Sequence, residues 1–281
     1  MAAIDQQTAD AFATSWNNLP SGSVYTREQF EDWLAPVTRA DVEGKDVAEL
    51  GCGNGSLLVH MTSWEPRRLV GVDLGESVRS ARENVGRTGF ARVEIQQGDL
   101  TEYTSVGYDF VYCIGVLHHL KLPQIGFRSV LNNTKPGGRF HCWVYAREGN
   151  ALIIWIVDPL RVIASRLPWW MTKYLIATPA VVPYFIYAKI ISAFGWVPGI
   201  KHLPLFDYSC WIAKRDFAFF RHVAFDQLVT PQTVYVSRAE VDRWLAEAAG
   251  DIEPGSAYVI FRNGNSWKFG GRRRTASTSQ S

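Results

Sequence analysis

Two hydrophobic periods alternate along this chain, and each predicts a different kind of element. In VYTREQFEDWLAPV (24–37), Phe30, Trp33, Leu34 and Val37 recur at helical spacing behind Thr26 and Gln29, which form a capping box; an amphipathic helix is expected there. From residue 45 the period shortens. KDVAEL, RLVGVD, ARVEIQ, YDFVYCI and RFHCWVY are brief runs of strand character, separated by stretches long enough for helices. Sustained over residues 45–145, this alternation predicts a parallel sheet with helices on both faces. SRAEVDRWLAEAAG (237–250) returns to the helical period, with Ser237 and Glu240 as a second capping box and Val241, Trp244, Leu245 and Ala248 as the apolar stripe. AYVIFRNGNSWKFGG then reads as two strands around Asn263-Gly264, a strong hairpin signal, so the sheet is expected to end in an antiparallel pair.

Residues 149–225 interrupt the rhythm. Between Asn150 and Ile200 the only charged side chains are Asp158, Arg161, Arg166, Lys173 and Lys189. The longest uncharged run, Tyr174–Ala188, contains Pro179 and Pro183 and is shorter than the roughly 20 apolar residues that cross a bilayer. A helical, apolar cap is expected rather than a membrane span. The organisation read from the pattern is an N-terminal helical lid (1–40), a ligand-binding core (41–148), a helical cap or substrate insertion (149–236), a helix and strand pair completing the core (237–271) and a disordered tail (272–281).

Composition changes this picture in three places. Eleven Trp, eleven Tyr and fifteen Phe are a surplus that suits an apolar pocket or interface. A net charge of +2 with interspersed signs is not that of a nucleic-acid binder, and no nucleic acid is expected as a partner. Cys52, Cys113, Cys142 and Cys210 lie far apart without metal-ligand spacing, so reduced thiols and no metal are expected. The opening MAAIDQQTADAF lacks a basic region followed by an apolar one, which points to a cytoplasmic protein.

The candidate chemistry begins at VAELGCGNGSL (47–57). Glycine loses more conformational entropy on folding than other residues, so Gly51, Gly53 and Gly55 imply a tight turn or a close approach to a ligand. A strand, glycine loop and helix in succession bring unpaired N–H groups and the helix dipole to one point. Dinucleotides and S-adenosylmethionine both use such a site. Gly55 comes one place early for G-x-G-x-x-G, where position 56 is Ser. Asp73 ends the next β-like run, where a carboxylate can accept from ribose hydroxyls, and QQGDL offers Asp99 and Leu100 to a base.

Five motifs in order, ELGCGNG (49–55), VGVD (70–73), GD (98–99), YDFVYCIGVLHHL (108–120) and KPGG (135–138), resemble the core of class I S-adenosylmethionine-dependent methyltransferases. FATSWNNL, REGN, DPLR, RLP, FDQLVTP and RNGNSW extend the resemblance to bacterial methyltransferase-domain proteins that carry an apolar cap. The fold this implies is α/β: a doubly wound, mostly parallel, seven-stranded Rossmann-like sheet with the cap inserted after the fifth strand. The cofactor it implies is S-adenosyl-L-methionine. Glu49 would approach the methionine amino group; Gly51, Cys52, Gly53, Asn54 and Gly55 would let the backbone close on the ligand. Asp73 and Leu74 would hold the ribose, Asp99 and Leu100 the adenine, and the backbone of Cys113, Ile114 and Gly115 would flank the methionine end.

Methyl transfer from a sulfonium is an in-line displacement in which a base is needed only for acceptors that lose a proton. His118 is the candidate general base, and His119 is expected to hydrogen-bond at the start of the next helix. His222, Asp226 and Tyr235 lie where the chain re-enters the core; pinning that loop competes with acceptor contact. IGVL (114–117) replaces the Asp/Asn-Pro-Pro-Tyr/Phe of enzymes that methylate nucleobase amines, which argues against base methylation. Trp155, Trp169, Trp170, Tyr184, Tyr187 and Trp196, with Arg161, Arg166, Lys173 and Lys189, suit an apolar acceptor or a membrane-surface headgroup, and packing in the cap's own core or at a dimer face competes with both. The expectation is O- or C-methylation of a small, apolar metabolite. The alternatives are a membrane- or partner-binding protein that holds the cofactor without turnover, an N-methyltransferase for a small amine, and a dehydrogenase.

Overall fold

The computed structural model describes residues 2–17 and 25–275, so the expected tail from residue 276 onward and residues 18–24 of the expected lid lie outside the described residues. Five strands run parallel: β1 (Asp46–Leu50), β2 (Arg68–Asp73), β3 (Val93–Gln97), β4 (Tyr108–Ile114) and β5 (Thr134–Tyr145). The hairpin β6 (Tyr258–Arg262) and β7 (Ser266–Arg272) closes the sheet, with β7 antiparallel to both neighbours. The order is β3-β2-β1-β4-β5-β7-β6, so the winding reverses between β1 and β4, where sheets of this kind open a crevice at the carboxyl ends of their strands. Asn263 and Gly264 both take positive φ, as an Asn-Gly hairpin turn requires.

The period of two along β1 sends Val47 to one face and Ala48 to the other. Beside Val47 are Leu69, Phe110 and Tyr112, buried under α2 (Arg27–Leu34), α3 (Ser56–Met61) and α4 (Val78–Gly86); α1 (Ala2–Asn17) precedes them in the chain. Ala48, Val70, Val111 and Val144 are buried on the opposite face with Phe127 of α5 (Pro123–Asn132) and Trp244 of α11 (Arg238–Glu247). Both expected capping boxes are formed, at Thr26 and at Ser237. Cys52, Cys113 and Cys142 are buried free thiols, and Cys210 is half-buried.

Polar contacts tie α2 to the hairpin. Arg262 pairs with Asp32, whose backbone carbonyl also accepts from Lys268 Nζ at 2.6 Å. His141, buried in β5, lies 2.8 Å from the Trp33 carbonyl through Nε2 and 2.7 Å from Tyr258 Oη through Nδ1. Burial pushes its pKa down to about 3, so the ring is neutral in the folded protein.

Between β5 and α11 the chain is helical: α6 (Ala151–Ala164), α7 (Trp169–Met171), α8 (Thr178–Ala193), α9 (Phe206–Ile212) and α10 (Phe217–Val229). Helices α7 and α8 are joined by a π-turn at Thr172–Ala177 into one helix of 25 residues, Trp169–Ala193. The sequence had suggested a shorter apolar run. Lys173 and Lys189 bound the uncharged stretch without ending the helix, and the π-turn directly precedes the prolines. Among the described residues this is the one helix long and apolar enough to cross a membrane by length and composition, and only 22% of its most apolar window is buried.

One backbone position locks the cap to the sheet. Gly149 has φ +77°, and a Cβ there would run into the Gly264 carbonyl in the hairpin turn. Gly149→Ala is expected to destabilise the fold by more than about 2 kcal/mol, since both the conformation and the space exclude a side chain. Gly250→Ala, with open space around it, is the control and is expected to stay within about 0.5 kcal/mol by chemical denaturation.

Candidate functional site

At the carboxyl ends of β1, β2 and β4 lies a cavity of ≈ 220 Å³. Its floor is the turn from Gly51 to Gly55, in which all three glycines take positive φ. Gly51 N and Cys52 N donate to the Val72 carbonyl at 2.7 and 3.0 Å, and Gly53 N donates to Asp73 Oδ2 at 2.8 Å. A Cβ on Gly53 would meet nothing within 4 Å, so the turn presents bare backbone to open space. Gly55 works differently from the expectation. Its missing side chain makes room for Ala81, 3.1 Å from where a Cβ would sit, so it packs α4 against the loop rather than facing a ligand.

The expected cofactor residues are largely brought together. Glu49, Gly51, Cys52, Gly53, Asn54, Asp73, Leu74, Asp99, Leu100, Ile114 and Gly115 all line the cavity. The Cys113 side chain does not; it points into the sheet core among Leu117, Phe127 and Cys142. Asp73 is held by Gly53 N, by Gly75 N at 2.9 Å and by Ser77 Oγ at 3.1 Å. Asp99 accepts from Thr101 N and Oγ1, both at 2.7 Å.

Glu49 is almost wholly buried and accepts from Tyr112 Oη at 2.9 Å. Burial raises its pKa to about 8; the Tyr112 hydrogen bond opposes this and the Asp73 charge adds to it. Burial also raises the pKa of Asp73, against three hydrogen bonds that favour its charged form. The buried Glu49 and the half-buried Asp73 on one wall form a place for a cation with hydroxyls beside it, which fits the ammonium and ribose ends of an S-adenosyl amino acid.

The cavity continues beyond this wall. Thr8, Ala9 and Phe12 of α1, Tyr25 and Trp33 at α2, Trp143 and Tyr145 of β5, Tyr208 and Trp211 of α9, and Phe219, His222, Val223, Asp226 and Gln227 of α10 surround the far end, with Arg262 and Asn265 of the hairpin. Sequence reasoning named His222 and Asp226 but missed most of the others, because they come from six separate elements and share no local spacing. His222 Nε2 lies 3.2 Å from Asp226 Oδ2, one helical turn away. His119 lines the cavity, stacks edge-on against Phe12 and has Nδ1 3.1 Å from the Gln232 carbonyl. That contact places the proton on Nδ1 and leaves Nε2 basic in the neutral ring. Burial lowers the pKa of His119 to about 4.

His118, the expected base, is fully buried behind the wall and does not line the cavity. Its Nδ1 accepts weakly from Tyr145 N at 3.4 Å, and its ring packs on Tyr145 and Trp143. Two successive residues of a 3-10 turn point in different directions, so His119 faces the cavity and His118 the core. Tyr235 also stands outside the cavity, stacked on Tyr145.

The sheet order, with its glycine turn after β1, is that of the Rossmann-like methyltransferase fold. Residues 41–150 match the family model described as a methyltransferase domain. The chain is 33% identical over 137 residues to juvenile hormone acid O-methyltransferase of Bombyx mori, covering 45% of each. It is 28% identical over 102 residues to a tRNA U34 carboxymethyltransferase of Desulfotalea psychrophila, covering 35% of this chain and 32% of that one. The chain spans between about a quarter and about a half of the length of the curated relatives it matches. In fold it resembles the crystal structure of magnesium protoporphyrin IX methyltransferase from Synechocystis with bound S-adenosylhomocysteine, at TM-score 0.56 and 13% identity, covering 97% of this chain and 98% of that one.

The Glu49 environment gives a pH signature. A carboxyl with a pKa near 8 keeps its proton at neutral pH, and an approaching ammonium group favours its ionised form. S-adenosylhomocysteine affinity is therefore expected to rise with pH up to about 8 and level off above it, with proton release on binding at pH 7. Calorimetry in two buffers of different ionisation enthalpy measures that release, and Glu49→Gln is expected to abolish it. For the ligand-free chain the sign is opposite. A raised folded-state pKa contributes stability that is lost as pH rises toward 8, so Glu49→Gln should flatten the fall in melting temperature between about pH 5 and pH 8.

Proposed function

We propose that the protein methylates a hydroxyl or acidic carbon of a small, apolar acceptor. The observation that carries this reading is that one cavity contains both the carboxyl-lined cradle and an aromatic chamber in which His119 and His222–Asp226 face the same space. When bound, S-adenosylmethionine supplies a methyl group already activated on a sulfonium. The chain's own work is positioning, exclusion of water and handling of one proton. Phe12, Trp33, Trp211 and Phe219 enclose a flat, apolar body and keep water from the reacting centre. His119, neutral and fixed in one tautomer, accepts a hydrogen bond at Nε2 and orients the acceptor. His222, steadied by Asp226, receives the proton that a hydroxyl or carbon acid must lose.

The test is transfer of label from S-adenosylmethionine to a panel of phenols, quinols, apolar carboxylic acids and small amines. Phenols or quinols are expected to be labelled, and His222→Ala is expected to lower kcat by about 10²- to 10⁴-fold with S-adenosylhomocysteine affinity unchanged. His119→Phe is expected to raise KM more than it lowers kcat. Labelling of amines alone, with kcat indifferent to His222→Ala, would replace this reading by N-methylation of a neutral amine, which needs no base. Binding of the cofactor with no labelled product from the panel or from a metabolite extract would leave a cofactor-binding protein without turnover.

A further inference from the structure

The outer face of the cap is apolar where a soluble surface is normally polar. Along α6, Leu152, Trp155, Ile156, Val162 and Ile163 are exposed, with Trp155 at 80%. Along the 25-residue helix, Trp170 and Tyr174 form one exposed pair a turn apart, and Val182, Ile186 and Ile190 form an exposed row at the same spacing nearer its end. Leu175 and Phe194 flank it, and Trp196, at 79% exposed, follows it. The two helices share an inner cluster of Val157, Leu160, Ala164, Ile176 and Ala177, and Thr172 Oγ1 donates to the Ala164 carbonyl, so their exposed stripes belong to one assembled region. Scattered exposed apolar residues need no explanation, but a contiguous patch of this extent marks an interaction surface.

Charge identifies the occupant. From Ala151 to Phe206 the one acidic residue is Asp158, which pairs with Arg161, while Arg166, Lys173, Lys189 and Lys201 are also basic; Arg166, Lys189 and Lys201 are exposed. Trp and Tyr on an apolar face, with exposed cations and its one carboxylate already paired to Arg161, match the boundary between lipid headgroups and acyl chains. The helix is held to the protein body along its inner side. Val181, Ala188 and Ile191 are buried, Tyr187 Oη donates to the Pro204 carbonyl at 2.7 Å, and Lys189 Nζ donates to the Ala213 and Arg215 carbonyls at 2.5 and 3.2 Å. Crossing a bilayer would break these contacts; lying on one keeps them.

We propose that the cap is a monotopic docking face that seats α6 and the 169–193 helix in the interface of an anionic bilayer. This goes beyond the acceptor assignment and does not depend on it. The full chain is to be sedimented with vesicles of phosphatidylcholine alone and of phosphatidylcholine mixed with phosphatidylglycerol. Partitioning onto the mixed vesicles is expected to be at least about tenfold stronger, because each basic residue near an anionic surface contributes on the order of 1 kcal/mol, and it is expected to fall as salt is raised. The double variant Trp155→Glu/Leu175→Glu is expected to lose at least about tenfold in partitioning while binding S-adenosylhomocysteine as the parent does, a readout that also reports its folding. Arg166→Gln/Lys201→Gln, which leaves the apolar face intact, is expected to remove the preference for anionic vesicles. Four outcomes would each overturn the proposal: no sedimentation with either vesicle, equal binding by the folded glutamate variant, a dimer in analytical ultracentrifugation that these glutamates disrupt, or retention in membranes through alkaline carbonate extraction, the mark of a spanning helix.

Discussion

The structure depends on a turn that backbone chemistry forces at the end of β1. Gly51, Gly53 and Gly55 all take left-handed conformations within five residues, where a side chain would cost roughly 1 kcal/mol or more at each position. The turn is held from below by the next strand, through the Val72 carbonyl and the Asp73 carboxylate. Asp73 is thus both a support for the loop and part of the cavity wall. Because β1 and β4 lie side by side where the winding of the sheet reverses, Glu49 and the Ile114–Val116 segment face one another across the same opening.

The electrostatics of that opening follow from its enclosure. Glu49 is buried and Asp73 half-buried; desolvation raises the pKa of both, and the Asp73 charge adds to this for Glu49. A cation arriving between them relieves both effects at once. The free wall therefore carries an electrostatic preference for a nearby cation.

The parts of this molecule legible from its sequence are those whose signals are local. The pleat period located β1, β2 and β4 to within a residue or so, the glycine spacing located the turn, and Thr26–Gln29 and Ser237–Glu240 marked two helix starts. Adjacent residues were harder. His118 and His119 are chemically identical in a sequence, and only the 3-10 turn that carries them decides which faces the cavity. Beyond His222 and Asp226, the far wall was not legible. Tyr25, Trp33, Tyr208, Trp211, Phe219 and Arg262 converge through tertiary packing, and Trp33 and Arg262 meet through the Asp32 contact and a ring-cation approach of 5.9 Å. The length of the 169–193 helix was underestimated because charge, used as a boundary, does not end a helix whose lysines can fold back onto aromatic rings, as Lys173 does over Trp169 and Tyr174.

Helix α10 illustrates how such a molecule can change its chemistry. Phe219, His222, Val223, Asp226 and Gln227 form one stripe toward the cavity, while Phe220, Phe225, Leu228 and Val229 form another that packs into the cap clusters. The two stripes interleave along thirteen residues and, apart from Phe219, which lines the cavity and packs against the cap cluster around Phe220, share no position. Selection can therefore rewrite the inner stripe for a new acceptor while the outer stripe keeps the shell assembled. The helix is in effect two independently evolvable texts written on opposite sides of one rod, and acceptor diversity on a constant architecture is what that arrangement makes accessible.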